Sequence, residues 1–408
     1  MSRKKAITFV VILLILTNIL TFGITNMATI KSKDRVTIPR KEYEELAANY
    51  EKYAKAINLE SYVKENYLRE VSDEQLFEGQ LKGLFQSLED PYSVYMTKDE
   101  FKDFTEHTKG IYGGIGVIVT PGEDNLITVV APIEDTPGER AGLKTGDKII
   151  KVEGQEFTAD NMDKAVKLMK GKPKTEVKIT VLRKDKEGKN QYIDMNIMRE
   201  EIRLVTVKSS VIDDGIGYIR ITSFDELTYK DFKKDLDALL NKNIEGLIID
   251  LRYNPGGLLD VCVDITDEFL DEGVIVYTET RNGERYYEKS TSKHTDIPLV
   301  VLVNEGSASA SEIFAGAIKD RERGLLIGTK TFGKGIVQRI KQMSDGSGFK
   351  LTTSEYFTPN GINIHGIGIE PDIVVELPEN VEQIGLDNLE QDTQLQTAIN
   401  KMKEIIKK

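Results

Sequence analysis

The sequence predicts a multidomain α+β chain: an N-terminal membrane anchor, a helical segment, a β-rich unit, an α/β unit and a C-terminal helix. Three observations carry that prediction. A charge-free apolar run, Ala6 to Ile24, follows Arg3, Lys4 and Lys5. Helical patterning gives way to short β runs at Gly110. From about Val205, strands alternate with helices, as in a largely parallel sheet covered on both faces.

The apolar run is about 19 residues long, close to what a helix needs to cross a bilayer. Its positive flank belongs on the cytoplasmic side, which puts the remainder of the chain outside. Residues 1–5 are then a cytoplasmic tail and 6–26 the anchor. Thr25-Asn26-Met27-Ala28 offers no clean A-x-A site, which favours an uncleaved anchor over a signal peptide. Residues 31–40 are polar, end in Ile38-Pro39-Arg40 and read as a linker.

From Lys41 to about Thr108 the apolar spacing is three and four, which predicts helices. A second helix is expected over 73–88, capped by Ser72 and stopped at Glu89-Asp90-Pro91. From Gly110, IYGGIGVIVT, NLITVVAPI, KIIKVEG and VKITVLRK read as strands. A turn-rich TPGERAGLKTGD and a short helix in NMDKAVKLMKG lie between them. Farther on come strand GIGYIRI, helix TYKDFKKDLDALL, strand GLIIDLR, helix LLDVCVDITDEFL, strand PLVVLVN, helix ASEIFAGAIKD and strand LLIGTKTFG. QLQTAINKMKEIIKK predicts a terminal helix.

The 408 residues carry a net charge of −12, and no large basic cluster is present, which argues against nucleic acid as the partner. Cys262 is the single cysteine, so an intrachain disulfide and a Cys-rich metal site are excluded. Its helical apolar spacing marks it as core.

Serine, lysine and glycine segments hold the chemistry. Asn304-Glu305-Gly306-Ser307-Ala308-Ser309-Ala310-Ser311-Glu312 joins a buried strand to a helix. A serine there can face a cleft beside helix amides that would hold an oxyanion; the same serines also suit helix capping. A serine nucleophile needs a base. His107, His294 and His365 have no compelling context. Lys334, in Phe332-Gly333-Lys334-Gly335-Ile336-Val337-Gln338, has no charged neighbour, so burial could leave a neutral amine. If this stretch is a strand, 334, 336 and 338 share a face and Gln338 can orient the amine. A snorkelling lysine is the alternative. Asp250-Leu251-Arg252-Tyr253-Asn254-Pro255-Gly256-Gly257 leaves the C-terminal end of a strand, where sites in parallel sheets gather.

Together DLRYNPGG, VLVNEGSASASEI, GTKTFGKGIVQ and LTTSEYFTPNGINIHGIGIEPDI, in that order over roughly 245–375, resemble the carboxyl-terminal processing peptidases. LFQSLEDPYSVYM resembles the segment before that family's PDZ domain, and the β-rich unit resembles the PDZ domain itself. The resemblance implies a crotonase-like protease core and a serine endopeptidase without metal or cofactor. It selects Ser309 over Ser307 and Ser311 as nucleophile, Lys334 as general base and Gln338 as its positioning partner. The oxyanion donors are the Ala310 amide and that of Gly256 or Gly257, with Gly257 preferred. Gly113 to Val117, and so Gly114, Ile115, Gly116 and Val117, match the loop that receives a peptide carboxylate. Peptide would add beside it as a strand.

The implied division is 31–94 helical assembly region, 95–199 PDZ domain, 200–380 protease core and 381–408 C-terminal helical segment. Implied partners are protein or peptide substrates with accessible C-termini, the membrane, and a second copy in a homodimer. The implied location is a bacterial cell membrane, with the catalytic part extracytoplasmic. Two rivals are an inactive PDZ adaptor and an acyl-CoA hydratase-like enzyme. The complete Ser/Lys/Gln set argues against the first, and the anchor against the second.

Overall fold

A computed structural model describes residues 2–31, 38–185, 187–212, 215–379, 381 and 383–407. The chain divides into two units, one ending at Gln80 and the other beginning at Leu81. The first contains helix Arg3–Lys31, of which Arg3–Thr25 is long and apolar enough to cross a membrane. Most of the expected linker lies outside the described residues. Helix Arg40–Asn66 buries no residue and exposes Tyr43, Leu46, Tyr50 and Tyr53. Ser72 caps helix Asp73–Gln86 as expected, its Oγ accepting the Gln75 N–H at 3.1 Å. Lys64 pairs with Asp73, and Gln80 donates to Glu60, so these helices form an antiparallel pair joined at both levels.

Within the second unit, strands Val117–Pro121, Ile127–Pro132, Lys148–Val152, Glu176–Lys184 and Asn190–Met198 form an antiparallel sheet. In EVKITVLRK, Val177, Ile179 and Val181 are fully buried and alternate with more exposed residues, the period-2 pattern of a half-buried strand. They share a core with Ile127, Val129, Ile149 and Ala165 of helix Met162–Met169. Strand Ile111–Gly114 pairs separately with Glu200–Arg203.

The edge expected at 94/95 falls inside strand Val94–Met96, which pairs with strand Gly348–Phe357 far along the chain. Three residues are too few for a period to show in sequence. Helix Lys98–Lys109 follows, closed by a Thr97/Glu100 capping box and by Gly110 at φ 68°.

The α/β core is a six-stranded sheet in the order Val207–Ile212, Ile216–Ile221, Gly246–Asp250, Leu299–Val303, Leu325–Gly328, Ile373–Val374. All pairs but the first are parallel. Leu247, Ile249, Val301 and Val303 point to one face, under helices Thr228–Leu240, Leu259–Asp267 and Ala310–Asp320. Ile248, Val300 and Leu302 point to the other, under helix Thr393–Ile406. That terminal helix buries Leu395, Ala398, Ile399 and Met402 against its own sheet. A second, antiparallel sheet of Gly273–Thr280, Arg285–Ser290, Ile336–Gln342 and Gly348–Phe357 stands beside the first.

Candidate active site

The three serines of the strand-to-helix turn have different fates. Ser307 is fully buried, its Oγ donating to Leu251 O at 2.8 Å and accepting the Asn304 N–H. Ser311 is equally buried and donates to Asn254 O at 2.9 Å. Both serve the backbone. Ser309 is half-buried and lines a cavity of about 320 Å³. It stands just before helix Ala310–Asp320 with φ 54° and ψ −114°, a conformation a residue with a Cβ rarely adopts. Such strain persists only where surrounding bonds enforce it.

The enforcing group is Glu312, which the sequence reading left without a role. Its carboxylate is fully buried and accepts four bonds. Oε2 takes the N–H groups of Ser309 (2.9 Å) and Lys334 (2.8 Å). Oε1 takes the Thr331 hydroxyl (2.6 Å) and the Gly333 N–H (2.7 Å). One carboxylate therefore joins the serine turn to the lysine loop. The S-x-x-E capping-box pattern in Ser309-Ala310-Ser311-Glu312 was the available signal.

The DLRYNPGG loop faces this turn. The Gly256 N–H is already taken by Asn254 Oδ1 at 2.9 Å. Among the described residues, those of Gly257 and of Ala310, the first residue of its helix, donate to nothing. Gly256 has φ 99°, and a Cβ there would stand 2.9 Å from both Ala310 N and Ser309 Cβ. Gly257 has φ 150°, and a Cβ would meet Phe224 O at 2.1 Å. Only glycine lets this backbone approach so closely.

Lys334 lies in the loop before strand Ile336–Gln342 rather than in a strand, and a bulge at Val337/Gln338 breaks the expected shared face. Lys334 and Gln338 line the same cavity as Ser309. The Gln338 amide donates to Ile336 O and Thr352 Oγ1 over long distances of 3.5 and 3.4 Å, and it makes no bond to the lysine. The Lys334 Nζ instead sits 4.4 Å from the centre of the Tyr92 ring. Burial, then the nearby Lys350 charge, push the Lys334 pKa down; Asp90 and Glu312 oppose them. Phe104, Leu258, Ile313 and Ile340 make much of the remaining wall apolar, and His107 reaches the rim.

Cys262 is buried, donates to Ala310 O, and has its thiol pushed up to about 12 by burial, so it is inert. Among the described residues no cluster of His, Cys, Asp or Glu could hold a metal.

The expected peptide-binding loop splits. Ile115, Gly116 and Val117 line a narrow cavity of about 60 Å³ with Val119, Val166 and Met169, between strand Val117–Pro121 and helix Met162–Met169. Gly114 lies outside that lining, within strand Ile111–Gly114.

Residues 215–375 match the model of peptidase family S41, 128–183 that of the PDZ domain, and 14–100 that of the activating protease CtpB N-terminal domain. A carboxy-terminal-processing protease of Bartonella bacilliformis is 40% identical over 345 residues, covering 83% of this chain and 78% of the relative. Carboxy-terminal processing protease CtpA of Bacillus subtilis is 37% identical over 390 residues, covering 95% and 80%. This chain belongs to the carboxy-terminal processing peptidases. As a family S41 member it is a serine peptidase that carries a PDZ domain. A putative S41 protease from Bacteroides fragilis NCTC 9343 shares the fold, with a TM-score of 0.52 at 16% identity, covering 85% of this processing peptidase and 96% of that chain.

Proposed function

We propose that this processing peptidase cleaves extracytoplasmic proteins with a Ser309–Lys334 centre, and that substrates engage it through their C-termini at the PDZ domain. The observation carrying the reading is the shared cavity. It holds the strained Ser309, a lysine whose pKa is lowered by burial, and the uncommitted N–H groups of Ala310 and Gly257.

Neutral Lys334 takes the Ser309 proton as Oγ attacks the scissile carbonyl. The carbonyl electron pair moves to oxygen, where the Ala310 and Gly257 N–H groups receive it. Lys334 then protonates the leaving amine and later activates the water that frees the acyl-enzyme. Gln338 Oε1 accepts no bond among the described residues and is the group that can orient the amine. The apolar walls suit an extended, unfolded tail with apolar side chains.

The narrow cavity beside Val117–Pro121 is the seat proposed for a substrate's C-terminal strand, with Ile115, Gly116 and Val117 at its end and Gly114 just before them. Occupying it would gate cleavage. Helix Arg3–Lys31 is proposed as the single-pass anchor of a bacterial cell membrane, leaving the second unit outside. The exposed tyrosines and leucines of Arg40–Asn66 are the surface proposed to pair with a second copy.

The test is cleavage of unfolded β-casein by the detergent-solubilised chain beside Ser309→Ala and Lys334→Ala. Turnover lost in both variants supports the reading. Peptide binding by a folded parent that never cleaves, even with C-terminal peptides added, would contradict it.

A further inference from the structure

The turn at Asp90–Ser93 reaches the catalytic lysine although it precedes the PDZ domain in sequence. It is a built seat. Asp90 accepts the Tyr92 N–H at 2.9 Å and the Ser93 hydroxyl at 2.6 Å. Ser93 is buried, and its Oγ accepts the Thr352 N–H at 2.9 Å from strand Gly348–Phe357. Strand Val94–Met96 then pairs with that same strand, Val94 opposite Lys350. The Tyr92 backbone is thus held on both sides, and the Lys334 Nζ lies over the face of its ring at 4.4 Å. Among the described residues, the Lys334 ammonium has no hydrogen-bond or ion-pair partner, so this ring is its one direct contact of favourable sign.

We propose that Tyr92 is a further catalytic residue, whose ring face stabilises the ammonium that forms on Lys334 as it takes the Ser309 proton. The inference rests on the Ser–Lys reading above. In that step the Oγ–H bond breaks, an Nζ–H bond forms from the amine lone pair, and Oγ bonds to the carbonyl carbon. Positive charge appears on Nζ at that moment, and an aromatic face attracts a cation far more than a neutral amine. The interaction is therefore stronger in the transition state than before it, the condition for raising the rate.

The surroundings explain why a ring serves here. Lys350, whose own Nζ lies over Phe104 at 5.3 Å, repels the ammonium from strand Gly348–Phe357. Asp90 from the turn and Glu312 from helix Ala310–Asp320 favour it. His107, Asp225 and Tyr356, whose buried hydroxyl donates to Ser309 O at 3.1 Å, complete the charged or titratable groups of the cavity wall. A carboxylate in the place of the ring would keep Lys334 protonated at neutral pH and abolish the base. The ring stabilises the cation while leaving the lysine able to lose its proton.

The experiment reads Lys334 directly. Competitive acetylation of the intact chain is followed by mass spectrometry across pH, giving the titration of Lys334 in the parent, Tyr92→Phe and Tyr92→Leu. β-Casein cleavage is measured on the same samples, with Lys334→Ala alongside and thermal melts to verify folding. Tyr92→Phe should match the parent. Tyr92→Leu should titrate lower by about half to one pH unit and, at pH above the Lys334 pKa, cleave about three- to tenfold more slowly. Tyr92→Met takes its place if the leucine variant does not fold. Unchanged titration in the ring-less variant, or Tyr92→Phe behaving like Tyr92→Leu, overturns the role of the ring. If Lys334→Ala cleaves as fast as the parent, the Ser–Lys reading fails and the catalytic role of Tyr92 falls with it. If Lys334→Ala is inactive while Tyr92→Leu titrates and cleaves like the parent, only the Tyr92 inference fails.

Discussion

Ser307, Ser309 and Ser311 lie within one turn and face three different environments. Replacing Ser311 by alanine removes one of two donors to the Asn254 carbonyl, which keeps the Ala308 N–H, and should cost about 0.5–1.5 kcal/mol of stability. Urea unfolding would measure that loss, and cleavage by the folded variant should survive, unlike that of Ser309→Ala. Glu312→Gln removes the buried charge and leaves at least one of four donors facing an amide NH₂. It should unfold at lower urea and cleave at least about tenfold more slowly, because the serine turn and the lysine loop lose their common tie. Normal kcat in Glu312→Gln would refute that role. Lys334 also sets a pH dependence. Its free amine is the active form, so kcat/KM should fall as pH drops through its lowered pKa. Lys350→Met removes a like charge, which raises the Lys334 pKa and should move the acid limb to higher pH. A limb that stays in place or moves down would contradict the assignment of the limb to Lys334.

At the scale of elements, the C-terminal helix and the DLRYNPGG loop are locked together. Arg252 is buried and pairs with Asp250 and with Asp392, the cap of helix Thr393–Ile406. Burial alone would push the Asp392 carboxyl up, but the Arg252 bonds and charge outweigh it and hold it low. Asp392→Ala should therefore destabilise the protein by about 1–3 kcal/mol, as Arg252 keeps Asp250 and Gln394 but loses two charge-assisted bonds and the helix loses its cap. Chemical denaturation would detect the change, and a loss under 1 kcal/mol would contradict it. The alternation of strand and helix from Ile216 to Gly328 was legible in sequence because each element is long enough to show its period. Which of the three serines lines the cavity was not legible from the turn itself, where all three suit helix capping equally. Strand Val94–Met96 was not legible, being three residues long and paired with residues some 250 positions away. The bulge at Val337/Gln338 was also hidden, since one extra residue leaves no compositional mark. For the same reason Tyr92 could not be placed: its role depends on a pairing between distant segments. Glu312 was within reach of a capping-box reading, although its bonds to Gly333 and Lys334 were not.

Across the whole molecule, an apolar N-terminal helix, a PDZ domain and an S41 core stand in one chain. If Arg3–Lys31 anchors the chain, alkaline carbonate should leave it in the membrane pellet, and protease added outside intact cells should degrade the second unit. In the cleft, labelling by a serine-reactive fluorophosphonate, mapped by tandem mass spectrometry, identifies the nucleophile itself. One adduct is expected, on Ser309, absent from Ser309→Ala and strongly reduced in Lys334→Ala. An adduct on another serine, or undiminished labelling of Ser309 without Lys334, would contradict the Ser309–Lys334 centre.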